Sequence, residues 1–455
     1  MNAPVHPVEQ LQLALPDIDW ITEASRIARL SQDFSWFSPV LSRQLAGKSA
    51  QAVARPRNLD EITRVVAQCA RLRIPITVRG AGTGNYGQCV PLHGGLVLDM
   101  SGFNQFLWAR AGAARAQAGI RLAEFEKQAR ANAGLELRCM PSTFRSATLG
   151  GLFGGGFGGV GSINHGPLAA RGNVLGVLAL TVEEVPRLVE LRGPEALAMH
   201  HLWGTNGLVL EVELAMAPAV DWHEQLVVFG SFDDALEFGN AVACAPGIHK
   251  REVALLADPI PGYLTPLAEH LPAGCHAVIL ATGAASDAAV RELAAQWRGE
   301  LTYAKTAEEV ARSNRTLLEY TWNHTTLVAL KVDRSITYLQ SAFAAGRHLE
   351  QVRAMHALLH PEVQMHAEFI RTLDGQVTCS ALQIVKFSTE ERLQEIMALH
   401  RAHGVRINDP HVFVVEDGKA GGALAPDVLA AKRRFDPLGL LNPGKVRAWA
   451  QTVHA

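Results

Sequence analysis

Two glycine-rich stretches and a few polar clusters carry the chemistry open to this chain. RGAGTGNYG, residues 79–87, offers adjacent main-chain N–H groups with little side chain around them, a nest suited to a pyrophosphate. LGGLFGGGFGGVG, residues 149–161, holds eight glycines in thirteen positions. Each glycine costs roughly 0.5–1 kcal/mol relative to alanine inside regular structure, so a run of them implies that bare backbone must lie against something. The polar clusters come later. His366 and Glu368 are two apart on an expected strand and face the same way, which suits a substrate or divalent-metal site, or a solvated strand face. Arg371 either grips a carboxylate through its fork or is a surface charge. EYTWNHTTL, residues 319–327, gathers Tyr320, Trp322, Asn323 and His324, which read as a pocket lining or as a satisfied buried network. His356 and His360 lie four apart with no third ligand in view and read as a helix face.

Three readings compete for residues 149–161. A flexible linker would be rich in serine, whereas Leu152, Phe153, Phe157 and Val160 argue for a packed segment. Gly154 to Gly159 satisfy GxGxxG, but that fingerprint needs a strand before it and a helix after it. Here RSATLGG precedes and SINHGP follows, with Pro167 breaking a helix. The first loop also fails the pattern, since Asn85 stands where the last glycine belongs, and it lacks a P-loop lysine. One elongated ligand lying along both loops explains both.

The elements that must position these residues alternate between β and α. Asn58 followed by Glu61 marks the start of a helix whose apolar positions are Leu59, Ile62, Val65, Val66, Cys69 and Leu72. IPITV (74–78) and GLVLDM (95–100) read as strands, and residues 120–134 as a helix closed by Gly134. NVLGVLALTVEE (173–184) and GTNGLVLEVELAM (204–216) are further strands. After AMAPAVDW (215–222) the composition changes. A helix over 286–297 and a hairpin turning at Asp374–Gly375, between 363–373 and 376–387, indicate a second α+β unit. No function is assigned to residues 1–48, which hold the aromatic cluster DFSWF (33–37).

The 455 residues point to two domains, and 48% hydrophobic with 19% charged residues is an ordinary globular balance. A net charge of −2 makes nucleic acid an unexpected partner. Six cysteines without a CxxC pair fit free thiols in a reducing compartment. MNAPVHPVEQ has neither a basic region nor an apolar core, and no apolar window reaches 18 residues. A cytoplasmic protein without a transmembrane segment is expected.

The order of segments resembles the FAD-linked oxidases and dehydrogenases of the vanillyl-alcohol oxidase/p-cresol methylhydroxylase (PCMH) type, nearest their D-lactate and glycolate dehydrogenase branch. The matching pieces are ARPRNLDEI, PITVRGAGTGNYG, GGLVLDMSGFN, AQAGIRLAEFEKQA, MPSTFRSATLGG, NHGPLAARGNVLGVLAL, WGTNGLVLEVEL and FDPLGLLNPGKV, over roughly residues 50–218 and 433–447. The resemblance implies an α+β fold, with an N-terminal helical segment (1–48) and a PCMH-type FAD-binding domain of two subdomains (49–218). An α+β substrate (cap) domain (219–432) and a C-terminal segment (433–455) returning to the FAD domain would follow.

Carried over by motif, Arg79, Gly80, Ala81, Gly82, Thr83, Gly84 and Asn85 would wrap the FAD pyrophosphate. Pro141, Ser142 and Thr143 would follow the ribityl and flavin side, and Thr148, Gly150 and Gly151 form the ATIGG-like turn. Gly154, Gly155, Gly158, Gly161 and Ser162 would admit the cofactor to the backbone. Gly207, Leu208 and Val209 would meet the adenine half, and Asn442 and Lys445 would reach the flavin. No histidine stands in AGTGN, and the nearest downstream is His93, so noncovalent FAD is expected. The branch's HxGDGNxH and EHGxG segments are missing; their nearest counterparts are MHAEFIRTLDG (365–375) and INDPHVFVVEDG (407–418). That leaves a divalent metal and the substrate open.

Such enzymes move a hydride to flavin N5 and a proton to a base. His411 occupies the place of the EHG histidine and is the first candidate base, against the reading that Asp-Pro-His is only a turn. Arg371, His324 and Tyr320 complete the candidate set. The leading expectation is oxidation of a small hydroxylated substrate, by resemblance a 2-hydroxy acid. Electrons would pass to oxygen, a quinone or a protein. A carbohydrate or phenolic alcohol oxidase is the second reading, and a noncatalytic or electron-transfer flavoprotein subunit the third. Both a homo-oligomer and a subunit of a larger complex are compatible with the sequence.

Overall fold

The computed structural model describes residues 6–418 and 421–449. The Asn58 side chain accepts from the Glu61 N–H at 2.9 Å, and the helix Leu59–Leu72 follows, burying Ile62, Val65, Val66 and Cys69. It covers a small sheet of β1 (Trp20–Ile21), β2 (Ala52–Ala54), β3 (Ile76–Arg79) and β4 (Leu96–Asp99), ordered β1-β2-β4-β3. The two β4 pairings are parallel, and the N-terminal segment supplies the antiparallel edge β1. The C-terminal tail returns here: Leu441 bridges to Ile76, and Asn442 N donates to the Ile76 oxygen at 2.7 Å.

A second, antiparallel sheet holds β5 (Phe106–Arg110), β6 (Ala113–Gln117), β7 (Leu135–Leu137), β8 (Val174–Leu180), β9 (Leu188–Arg192) and β10 (Leu208–Pro218). Its order is β5-β6-β10-β8-β9, with β7 on the end of β10. The helix Leu122–Ala133 ends where Gly134 turns left-handed at φ 63°.

The second unit is one nine-stranded antiparallel sheet: β11 (Trp222–Phe229), β12 (Lys250–Leu256), β13 (His276–Gly283), β14 (Glu300–Lys305), β15 (Ile336–Ala342), β16 (Val363–Gln364), β17 (His366–Arg371), β18 (Val377–Lys386) and β19 (Arg406–Asn408). The order is β14-β11-β13-β12-β17-β18-β15-β19, with β16 also on β18. Four helices, Phe232–Cys244, Asp287–Gln296, His348–Leu359 and Glu390–Ala402, close one face over Val253, Leu255, Ala367 and Phe369. The helix Asn323–Val332 packs on the opposite face. The β17–β18 hairpin turns at the expected Asp374–Gly375, with Gly375 at φ +87°.

The glycine run departs from expectation. Leu149–Gly155 is itself helical, because the Thr148 hydroxyl caps it by accepting from Gly151 N at 3.2 Å, and Ser162–His165 forms one more turn before Gly166. Leu152, Phe153 and Val160 are buried as a packed segment requires, but Phe157 is 40% exposed. All six cysteines are free. Among the described residues no helix is long and apolar enough to cross a membrane.

Candidate functional site

Arg79 ends β3 and turns its guanidinium back, donating to the oxygens of Gln32 at 2.5 Å and Ala81 at 3.2 Å. The loop that follows is bare because it must be. A Cβ on Gly80 would lie 2.1 Å from Thr148 Oγ1, so the two glycine-rich segments touch through a glycine. The N-terminal segment braces the loop from behind: Phe34 N donates to the Gly84 oxygen at 2.7 Å, and Asp33 accepts from Cys89 N at 3.2 Å. Residues 32–34, left without a task by the sequence reading, are therefore the loop's support.

Both segments face one cavity of about 500 Å³. Arg79, Gly80, Ala81, Gly82, Thr83, Gly84, Asn85, Pro141, Ser142, Thr143, Thr148, Gly150, Gly151, Gly154, Gly155, Gly158, Gly207 and Val209 line it. A Cβ on Gly154 would meet nothing within 4 Å, so this backbone is laid open to the cavity. Gly161, Ser162, Leu208, Asn442 and Lys445 stand behind the wall instead. Gly161 backs onto the Arg138 oxygen, and Ser162 Oγ accepts from Gly159 N at 3.0 Å. Leu208 is core. Asn442 donates to the main-chain oxygens of Gln88 (2.8 Å) and Trp203 (2.7 Å), and Lys445 donates to that of Gly87. The tail thus grips the loop rather than lining the space. Burial pushes the Lys445 ammonium down to about 8, with Asp33 and Cys89 opposing.

The opposite wall is the face of β18, β15 and β19. Leu382, Gln340 and Asn408 pair across these strands in one row, and Ser380, Ala342 and Arg406 in the next. Directly paired residues share a face, so Gln340, Asn408, Ser380 and Arg406 come together on the cavity. The Tyr86 hydroxyl crosses from the loop to donate to Gln340 Oε1. The Tyr86 ring stacks on Trp203, centroids 5.2 Å apart, and burial pushes its phenol above the usual range. Trp203 Nε1 is buried in this lining without a hydrogen-bond partner among the described residues.

The candidate catalytic residues are not gathered here. His411 is 4% exposed and off the cavity lining. Its Nδ1 accepts from the Ser38 hydroxyl at 2.8 Å and its Nε2 donates to the Tyr338 oxygen at 3.0 Å, so both nitrogens are engaged. Burial pushes it down to about 4, which keeps it neutral. Arg371 Nη1 donates to the Gly375 oxygen at 2.8 Å inside its own hairpin. His324, also pushed down to about 4 by burial, and Tyr320 lie off the lining, but their neighbours Trp322 and Asn323 are on it. His356 stacks on Phe232 at 3.8 Å.

His366 and Glu368 do share a face, and they bond to each other, Nε2 to Oε1 at 2.7 Å, with no exposure. Glu252 on β12 joins them, and burial pushes both carboxyls up. Among the described residues no group of three or more His, Cys, Asp and Glu is arranged to hold a metal ion. Sequence reasoning passed over Gln340, Ser380 and Arg406, whose only signal is a cross-strand register. It also gave no role to Tyr86 and Trp203, although both lie inside segments it singled out, RGAGTGNYG and WGTNGLVLEVEL.

Residues 50–184 match the family model described as FAD binding domain. The chain carries an FAD binding domain over these residues. Over 116 residues it is 34% identical to the glycolate oxidase subunit GlcD of Escherichia coli (strain K12), covering 25% of this chain and 23% of that one. It is 24% identical over 235 residues to the D-lactate dehydrogenase of Archaeoglobus fulgidus, covering 48% and 51%. The chain spans about a quarter of the length of the glycolate oxidase subunits it matches. Among solved structures, an alkyldihydroxyacetonephosphate synthase superposes with a TM-score of 0.71 at 15% identity, covering 98% of this chain and 86% of that one. The FAD binding domain contributes β2 to β4 and both glycine-rich walls of the cavity.

Proposed function

We propose that this flavoprotein holds FAD noncovalently in the cavity and oxidises the CH–OH group of a small 2-hydroxy acid. One observation carries the reading. Two remote glycine-rich segments present bare backbone to a single space whose far wall is polar and includes Arg406. Bound FAD would supply the two-electron acceptor that amino-acid side chains lack. The loop amides of residues 80–85 would hold its phosphates, and the Trp203 indole N–H offers a ligand a buried donor that has no partner among the described residues. His93 packs against Gly444, where a Cβ would meet its Nε2 at 2.7 Å, and not on the cavity, which supports noncovalent attachment.

Arg406 would grip the substrate carboxylate, and Asn408 and Gln340, on the same wall, would orient its polar groups. Tyr86 stays neutral, its one hydroxyl hydrogen given to Gln340 Oε1. The names of the relatives, a glycolate oxidase subunit and a D-lactate dehydrogenase, support the substrate class. Oxygen, a quinone or a protein takes the electrons onward, and the free thiols support a cytoplasmic setting. The test is anaerobic mixing of the yellow protein with panels of 2-hydroxy acids, sugars and phenolic alcohols. Bleaching of the visible flavin band by a 2-hydroxy acid is expected. Bleaching by sugars or phenols alone, or by no compound, overturns the proposal.

A further inference from the structure

Trp322 stands on the cavity wall with left-handed φ, as His201 and Trp203 do. It sits at φ 52°, ψ −140°, a region a bulky residue enters only when its surroundings force it. Two carboxyls do the forcing. Its main-chain N–H donates to Glu368 Oε1 at 2.6 Å and its indole Nε1–H to Glu252 Oε2 at 3.2 Å. Both donors of one tryptophan are thus held by two carboxyls that water does not reach.

The strand register explains how they come together. Glu368 pairs with Ala254 on β12 and with Ser380 on β18, and Glu252 lies two residues from Ala254, on the same face. That face continues through Ser380 to Arg406, which line the cavity. Trp322 lines that space, and the two carboxyls that hold it do not. Its ring spans to the other unit, where a Cβ on Gly158 would lie 3.4 Å from it.

We propose that Glu252 and Glu368 are positioning residues that clamp Trp322 against Gly158, and that the clamped indole sets how large a side chain the substrate can carry. The clamp stands on the hydrogen bonds alone; the substrate role rests on the proposed function. Residues so held cost strain and two desolvated carboxyls, which a purely structural wall of leucine would avoid.

The test separates the two parts. In 15N-indole-labelled apoprotein, the resonance that disappears in Trp322→Phe identifies Trp322. Glu252→Gln, which keeps an acceptor in place, is expected to leave that resonance where it is. Glu252→Leu, or Glu252→Asp if the leucine variant does not fold, is expected to shift it and to speed its solvent exchange at least about tenfold. An unmoved resonance overturns the clamp whatever the substrate. Trp322→Ala is then expected to raise kcat/KM for a 2-hydroxy acid with a phenyl side chain, relative to glycolate, at least about tenfold. An unchanged ratio overturns the size role. Failure of every 2-hydroxy acid to reduce the flavin overturns the proposed function and leaves the indole result standing.

Discussion

Asn442 donates its side-chain amide to the main-chain oxygen of Trp203, 2.7 Å away, and so ties the end of the chain to the wall of the cavity. A second bond from the same amide reaches the Gln88 oxygen at 2.8 Å, and the residue adopts φ +45°. Asn442→Ala removes both bonds and places an alanine in left-handed backbone. A loss of about 2–4 kcal/mol is expected in urea unfolding, with weaker FAD retention. Asn442→Gly, which relieves the backbone, should lose less.

Gly154 offers the opposite case. It lies in the short helix Leu149–Gly155, and a side chain there enters open cavity. Gly154→Leu should leave the apoprotein as stable or more so by roughly 0.5–1 kcal/mol, since glycine is a poor helix residue. FAD affinity should fall at least about tenfold, from lost shape complementarity. Calorimetric melting of the apoprotein and fluorescence titration with FAD read the two effects separately.

His411→Asn tests the histidine that resemblance pointed to. With both ring nitrogens bound inside the fold, its removal should cost about 1–3 kcal/mol of stability through unpaired buried groups at Ser38 and Tyr338. Flavin reduction at saturating substrate should stay within about threefold of wild type, a rate difference under 1 kcal/mol. Stopped-flow absorbance measures this, and a fall of several hundredfold would return His411 to the chemistry.

The same histidine sets a pH dependence. Its ordinary value of 6.5 is pushed down to about 4 in the fold, as is that of His324. The unfolded chain therefore binds more protons between those values. Stability from these groups is present above pH 6.5 and is lost as pH falls through about 4. Equilibrium unfolding across that window should show a falling stability whose slope is shallower in His411→Asn.

Arg406→Ala should raise KM for the hydroxy acid at least about tenfold, with FAD affinity little changed, because a charge-assisted carboxylate bond is lost while the glycine-rich walls opposite are untouched. Steady-state kinetics and FAD titration on one preparation decide it.

What the sequence discloses is local. The Asn58 cap, the Gly134 stop and the Asp374–Gly375 turn depend on residues within a few positions of each other, and each stands where spacing puts it. Both glycine-rich loops were legible because their composition has no other sensible use. Arg406, Ser380 and Gln340 were not, since strand pairing brings three distant segments to one wall. Nor could spacing reveal that Ser38, 373 residues away in sequence, would occupy His411, or that Phe34 would brace Gly84.

The most direct measurement is FAD uptake by the apoprotein, followed by gel filtration and then heat denaturation. One FAD retained per chain is expected, yellow while folded and released intact into solution on denaturation. Colourless protein emerging free of FAD would contradict it.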